Sequence, residues 1–127
     1  MNKVVEQILD ACELENTTIF TYYDDIVLSF KKNILSTVTM VKGGFSVAYM
    51  RIYYSYGKPV CAVVNTQSSQ TLVWWEFIES STTYRGLYEF LNRTKIMEGK
   101  LNRNIIKELK QLENSVFVKE KTNEMGK

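Results

Sequence analysis

Three segments rich in β-branched and aromatic residues follow one another between Phe45 and Ile78. They are FSVAYMRIYYSY, PVCAVVNT and TLVWWEFI, and only the short segments GK and QSSQ separate them. Such residues favour a pleated surface, and Gly57-Lys58 suits a two-residue hairpin turn. The pattern therefore predicts an antiparallel three-stranded meander over residues 45–78.

The register of this meander follows from the predicted turn, which sets Tyr54 opposite Cys61 and Ile52 opposite Val63. If the second turn preserves the alternation of side chains between the two faces, neither face of the meander is polar. One face is then rich in aromatic residues: Val47, Tyr49, Arg51, Tyr53, Val60, Ala62, Val64, Val73, Trp75 and Phe77. A sheet with one wet face alternates apolar and polar residues. We therefore expect both faces to be covered, one by helices and the other by helices, a ligand or another subunit.

Apolar residues recur at helical spacing in three other segments, which predicts amphipathic helices over residues 2–14, 82–94 and 102–114. The first helix is expected to pack on the sheet through Val4, Val5, Ile8 and Leu9. Residues 115–119 are interpreted as a short strand or a docking tail. Residues 120–127 are polar and are expected to be a frayed tail.

Residues 17–42 admit two interpretations. The favoured one is a hairpin over about 17–31 that turns at Asp24-Asp25, followed by a short helix over about 32–42. The alternative makes Asp24 an N-cap and extends one helix from there to about Met40. The favoured interpretation gives a single α+β domain over residues 1–119, built on an antiparallel sheet. Its order of elements is similar to that of roadblock and other profilin-like domains, and this similarity implies a fold but no function.

Charge is unevenly distributed along the 127 residues, although the net charge is only +2. Residues 1–91 contain 7 basic and 9 acidic groups, hence −2, whereas residues 92–127 contain 9 basic and 5 acidic groups, hence +4. Acidic residues interrupt the apolar pattern of the N-terminus, and no apolar run approaches membrane-spanning length. We therefore expect a cytoplasmic protein without a membrane partner, in which Cys12 and Cys61 are buried thiols and not a disulfide.

Catalytic motifs are scarce in this sequence. It has no histidine, which removes the Ser-His-Asp and Cys-His nucleophile systems, and it has no phosphate-binding loop motif. Glu76 lies in an aromatic segment and is either a general base or, as we favour, a carboxylate that reaches solvent or pairs with a cation. We therefore expect no enzyme, no cofactor and no metal.

Macromolecule binding is the function that the sequence favours. The aromatic face predicts a homodimer or another protein interface at Tyr49, Arg51, Tyr53, Trp75 and Phe77, because aromatic residues and Arg are enriched at interfaces. The opposing interpretation is a monomer whose own helices cover both faces. A chain of this kind would suit an accessory protein of a virus or mobile element. The alternative function is nucleic-acid binding by a basic stripe on the last helix, composed of Lys100, Arg103, Lys107 and Lys110.

Overall fold

In a computed structural model, which describes residues 2–16, 20–99 and 102–119, the chain forms a six-stranded sheet flanked by helices. The described elements are, in chain order, α1 (Lys3–Ala11), β1 (Phe20–Val27), β2 (Asn33–Lys42), β3 (Phe45–Ser55), β4 (Lys58–Asn65), β5 (Gln70–Trp74), α2 (Ser81–Arg93), α3 (Arg103–Lys110) and β6 (Ser115–Phe117). The strands lie side by side in sequence order, antiparallel except for the parallel pair β5 and β6. The predicted α+β fold with an antiparallel sheet is therefore confirmed.

Helices from the same chain pack on both faces of the sheet. On the α1 face, Val5, Ile8 and Leu9 pack in one apolar cluster with strand residues that include Met50 and Val73. On the α2 face, both α2 and α3 pack over the other core cluster. Its strand residues are Leu35, Tyr53, Val60, Cys61, Val63, Leu72 and Trp74. The centre of the sheet is thus covered on both sides within one protomer.

The hairpin and the short helix predicted over residues 17–42 are misplaced. β1 runs straight through Asp24-Asp25, and the chain turns over residues 28–32, where the Leu28 amide donates to the Asn33 carbonyl at 2.9 Å. Residues 33–42 form β2, so both the short helix and the longer helix from Asp24 are wrong. Pairing with β1 on one side and β3 on the other satisfies the main chain of β2, and its Thr and Val residues suit a strand. The roadblock-like order, which includes that short helix, is therefore not found.

The register predicted for the first meander turn is also wrong. Ser55 pairs with Lys58, so the two turn residues are Tyr56 and Gly57, with φ of 54° and 78°. Positive φ at both central positions is the type I′ geometry that matches the twist of a hairpin. A bulge then shifts the pairing so that Tyr53 faces Cys61. Because side chains alternate between faces, this shift moves β3 to the opposite face relative to β4 and β5.

The remaining elements lie close to the predicted segments: α1 (Lys3–Ala11) and α3 (Arg103–Lys110) are shorter than predicted, and α2 (Ser81–Arg93) is displaced by one residue. The third meander strand ends at Trp74, α3 ends at Lys110, and a short strand, β6, forms within residues 115–119. The side chain of Asn2 caps α1 and that of Ser80 caps α2, each by accepting from a backbone amide of the first turn. The predicted frayed tail over residues 120–127 lies outside the described residues.

Candidate interaction surface

The five residues predicted to form one aromatic interface do not share a face. Tyr53 is fully buried on the α2 face, where its hydroxyl donates to the Thr83 carbonyl at 2.9 Å. Trp75 is 8% exposed on the α1 face, and its indole N–H donates to Gln7 at 3.0 Å. Phe77 packs against the core below α2, with its ring 5.9 Å from that of Tyr84. The register shift separates Tyr53 from Trp75, whereas Phe77, which follows the end of β5, packs against the same cluster as Tyr53.

A buried polar cluster fixes Tyr53 below the start of α2. The Asn33 side-chain amide donates to the Thr82 carbonyl at 3.2 Å, and the Ser55 hydroxyl donates to the Asn33 side-chain oxygen at 3.1 Å. The Ser55 and Thr83 hydroxyls lie 3.0 Å apart. Each group has a partner, so the cluster positions α2 on the sheet and offers no free chemistry. Burial raises the pKa of Tyr53 to about 12.

β1 is the most exposed strand of the sheet, although most of its residues are apolar or aromatic. We use the term β1 surface for the exposed side chains of Phe20 (58%), Tyr22 (58%), Tyr23 (49%), Ile26 (39%) and Val27 (60%). Its members lie on both faces of the sheet, because Ile26 pairs with Leu35 on the α2 face whereas Tyr23 pairs with Val38 on the α1 face. The β1 surface therefore surrounds the free edge of the sheet.

The β1 surface continues across the sheet on the α2 face. Tyr22 pairs with Thr39, and Thr39 pairs with Tyr49, so these three residues form a row across three strands. The rings of Phe20 and Tyr22 stack at 6.5 Å between centroids, and Tyr49 is 39% exposed. Two of the residues predicted to form the interface, Tyr49 and Arg51, thus lie next to an aromatic surface that sequence reasoning did not identify.

Arg51 has an unusual environment at the margin of this row. Its guanidinium carbon lies 5.5 Å from the centroid of the Tyr49 ring. Its Nε is buried, yet it has no hydrogen-bond partner among the described residues. A buried donor without an acceptor is costly.

The cations predicted to bind nucleic acid differ in their contacts with aromatic rings. We call Arg103, Lys107 and Lys110 the α3 cations; Lys100 lies outside the described residues. The Arg103 guanidinium is 4.4 Å from the Tyr84 ring centroid, and the Lys110 ammonium is 5.0 Å from that of Phe77. Lys107 is exposed. Two of the three charges therefore lie against the aromatic residues that line the α2 face.

Few features of the described residues suggest catalysis. Glu76 is exposed, so the burial that would make it a general base is missing. Among the described residues there is no group of three or more Cys, Asp or Glu placed to hold a metal. Cys61 is fully buried and Cys12 partly so, and burial raises the pKa of the Cys12 thiol to about 11. None of the described helices has the length and apolar character that crossing a membrane requires.

Comparisons with known proteins found no match to the chain among family models, curated proteins or solved structures. No match therefore supports a similarity to roadblock or profilin-like domains, and the element order that suggested it is not the one observed.

Proposed function

We propose that this protein is a non-catalytic, cytoplasmic binding module that associates with itself through the β1 surface. One observation supports this most strongly: five of the eight residues of β1 are large apolar or aromatic residues that are more than a third exposed. Long, exposed, hydrophobic edge strands are uncommon in monomeric proteins, because they pair readily with other chains. A role as an accessory protein of a virus or mobile element is compatible with such a module.

The size of the β1 surface supports the proposal. A Phe or Tyr side chain can bury about 150–250 Å². At roughly half exposure, Phe20, Tyr22 and Tyr23 together leave on the order of 300 Å² open, divided between the two faces around the free edge. Ile26, Val27 and nearby Tyr49 add to it. The largest apolar patch of a typical monomer is about 300–600 Å² and is often functional.

The charges near β1 favour a protein partner over a nucleic acid. Asp24 and Asp25 lie in the middle of the strand, and both are exposed. Two carboxylates beside the aromatic rings repel phosphate, whereas they can accept hydrogen bonds from hydroxyl or amide groups of a protein.

The proposal is tested by light scattering behind a sizing column across the micromolar range. We expect a dimer that Tyr22→Glu weakens, because the substitution places a charge within the apolar surface. Phe117→Glu is the matched control, since Phe117 is an aromatic residue of similar exposure (53% against 58%) on β6, at the opposite edge. Circular dichroism checks that both variants keep the fold. A wild-type protein that stays monomeric throughout the range would refute self-association.

A further inference from the structure

We propose that β1 pairs with β1 of a second copy, antiparallel and about a two-fold axis that passes through Tyr23. The two six-stranded sheets would then form one continuous sheet. This inference rests on the proposed self-association and specifies where and in which register it occurs. A two-fold arrangement is the commonest for homo-oligomers, because one patch then covers its own copy.

The outer edge of β1 has main-chain groups available for pairing. β1 is the first strand of the sheet, and no strand of the described chain lies on its outer side. Hydrogen-bonded pairs alternate along an antiparallel ladder, and the Leu28 amide bonds to the Asn33 carbonyl inside the β1–β2 hairpin. Bonded residues recur at every second position before Leu28, so the main-chain N–H and C=O groups of the even-numbered residues of β1 bond to β2. The N–H and C=O groups of Thr21, Tyr23 and Asp25 therefore point to the free edge.

Symmetry limits the registers that two copies of β1 can adopt. A two-fold axis perpendicular to the sheet places side chains of the same face opposite each other, so the axis must pass through a residue. With the axis at Tyr23, Tyr22 faces Asp24, Thr21 faces Asp25, and Phe20 faces Ile26 of the other copy. Every carboxylate then meets a hydroxyl group, and the apolar side chains meet each other.

The neighbouring registers lack this complementarity. An axis at Asp24 places Asp24 directly opposite its own copy, and like charges directly opposite are destabilising. An axis at Tyr22 places Phe20 opposite Asp24 and leaves that carboxylate without a hydroxyl partner. An axis at Asp25 again opposes like charges. The sequence of β1 is thus self-complementary about Tyr23 and about none of these neighbours.

The expected dimer is weak. Pairing about Tyr23 joins residues 20–26 of each copy, which is a small contact beside the roughly 1,200–2,000 Å² of stable interfaces. We therefore expect dissociation in the micromolar range. A strand from a different protein could occupy the same edge, but such a partner would not explain why the hydroxyl and carboxylate groups of β1 complement those of its own copy.

A cysteine scan across residues 21–25 tests the register directly. The scan uses a Cys12→Ser background, because the partly exposed Cys12 thiol could form competing disulfides. Cys61 is kept, since it is fully buried. Hydrogen-bonded residues that face each other have Cα atoms about 5.5 Å apart, within the range that a disulfide spans. We expect mild oxidation to cross-link Tyr23→Cys. A cysteine at position 22 or 24 lies about 7–8 Å from its own copy, beyond efficient bridging, but a mixture of Tyr22→Cys and Asp24→Cys should cross-link.

A substitution without cysteine provides the second measurement. Tyr23→Lys opposes two ammonium groups at the axis and should raise the dimer dissociation constant at least tenfold. Phe117→Lys on the opposite edge should leave the constant unchanged. A cross-linking maximum at position 24 would overturn the register. Equal yields along the scan, with a dimer still present by light scattering, would overturn edge pairing but leave self-association standing. A monomer throughout would remove both.

Discussion

Gly86→Ala probes how closely α2 approaches the sheet. Gly86 is buried on the helix face that lies on β2 and β3. A Cβ atom at this position would overlap the Tyr53 hydroxyl and the Asn33 side-chain amide. Neither group can move freely, because Tyr53 donates to the Thr83 carbonyl and Asn33 donates to the Thr82 carbonyl. The added methyl group must therefore lift the helix or break these bonds.

The expected cost combines three contributions of known size. Alanine is favoured over glycine in a helix by about 1 kcal/mol. Overpacking costs about 1–3 kcal/mol, and leaving a buried polar group unpaired costs about 1–3 kcal/mol. The sum predicts a net loss of about 3 kcal/mol in the free energy of unfolding, within a span of about 1–5.

Urea unfolding followed by tryptophan fluorescence measures this loss as a shift of the midpoint at constant slope. Arg85→Ala, at the exposed neighbouring position, is the control and should change stability by less than about 0.5 kcal/mol. Tyr53→Phe removes the hydroxyl that the methyl group meets, so its own cost should be smaller in the Gly86→Ala background. If Gly86→Ala instead stabilises the protein by about 1 kcal/mol, as at an open helix position, the close approach is wrong.

Four further outcomes are expected. Ile8→Ala should cost about 2–5 kcal/mol in urea unfolding, because Ile8 is fully buried between α1 and the sheet; a loss below about 0.5 kcal/mol would contradict the packing of α1. Trp75→Glu should unfold the protein by circular dichroism, since it places a charge below α1, and a folded variant with weaker association would restore Trp75 to the interface. The pKa of Tyr53 is raised from 10.0 to about 12, chiefly by burial, so its contribution to stability is complete below pH 10 and is lost as the pH rises from 10 to 12. Tyr53→Phe should reduce the alkaline loss in pH-dependent unfolding, and Tyr54 and Tyr84, whose pKa values burial also raises to about 12, should account for a remaining part. In a gel shift with mixed-sequence DNA and RNA, neither the wild type nor a variant with the α3 cations replaced by Gln should bind if the partner is a protein, whereas salt-dependent wild-type binding that this variant weakens would favour nucleic acid.

The sequence by itself determined the features that depend on local spacing. The apolar stripes of α1 and α2 follow from helical periodicity, and the capping side chains of Asn2 and Ser80 stand at their starts. The meander follows from three β-rich segments separated by short turns. These signals lie within a few residues of one another, so tertiary contacts are not needed to interpret them.

The site was only partly predictable. Tyr49 and Arg51 were expected at an interface; Tyr49 is exposed, and the partly buried Arg51 lies beside its ring. Phe20, Tyr22 and Tyr23 were not expected there. A strand in which aromatic residues flank two aspartates could have indicated an exposed strand, since Asp is depleted in strands and is rarely buried unless it is paired. The predicted turn at Asp24-Asp25 concealed this signal.

Tertiary structure alone decided which residues share a face. The type I′ turn at Tyr56-Gly57 and the bulge after Tyr53 set the register of β3 against β4. A shift of a single residue exchanges the faces of a strand, so this local geometry separated Tyr53 from Trp75. Pairing with strands on both sides likewise made residues 33–42 a strand. Hydrogen bonds between distant segments stabilise such a strand, and no short-range pattern in the sequence encodes them.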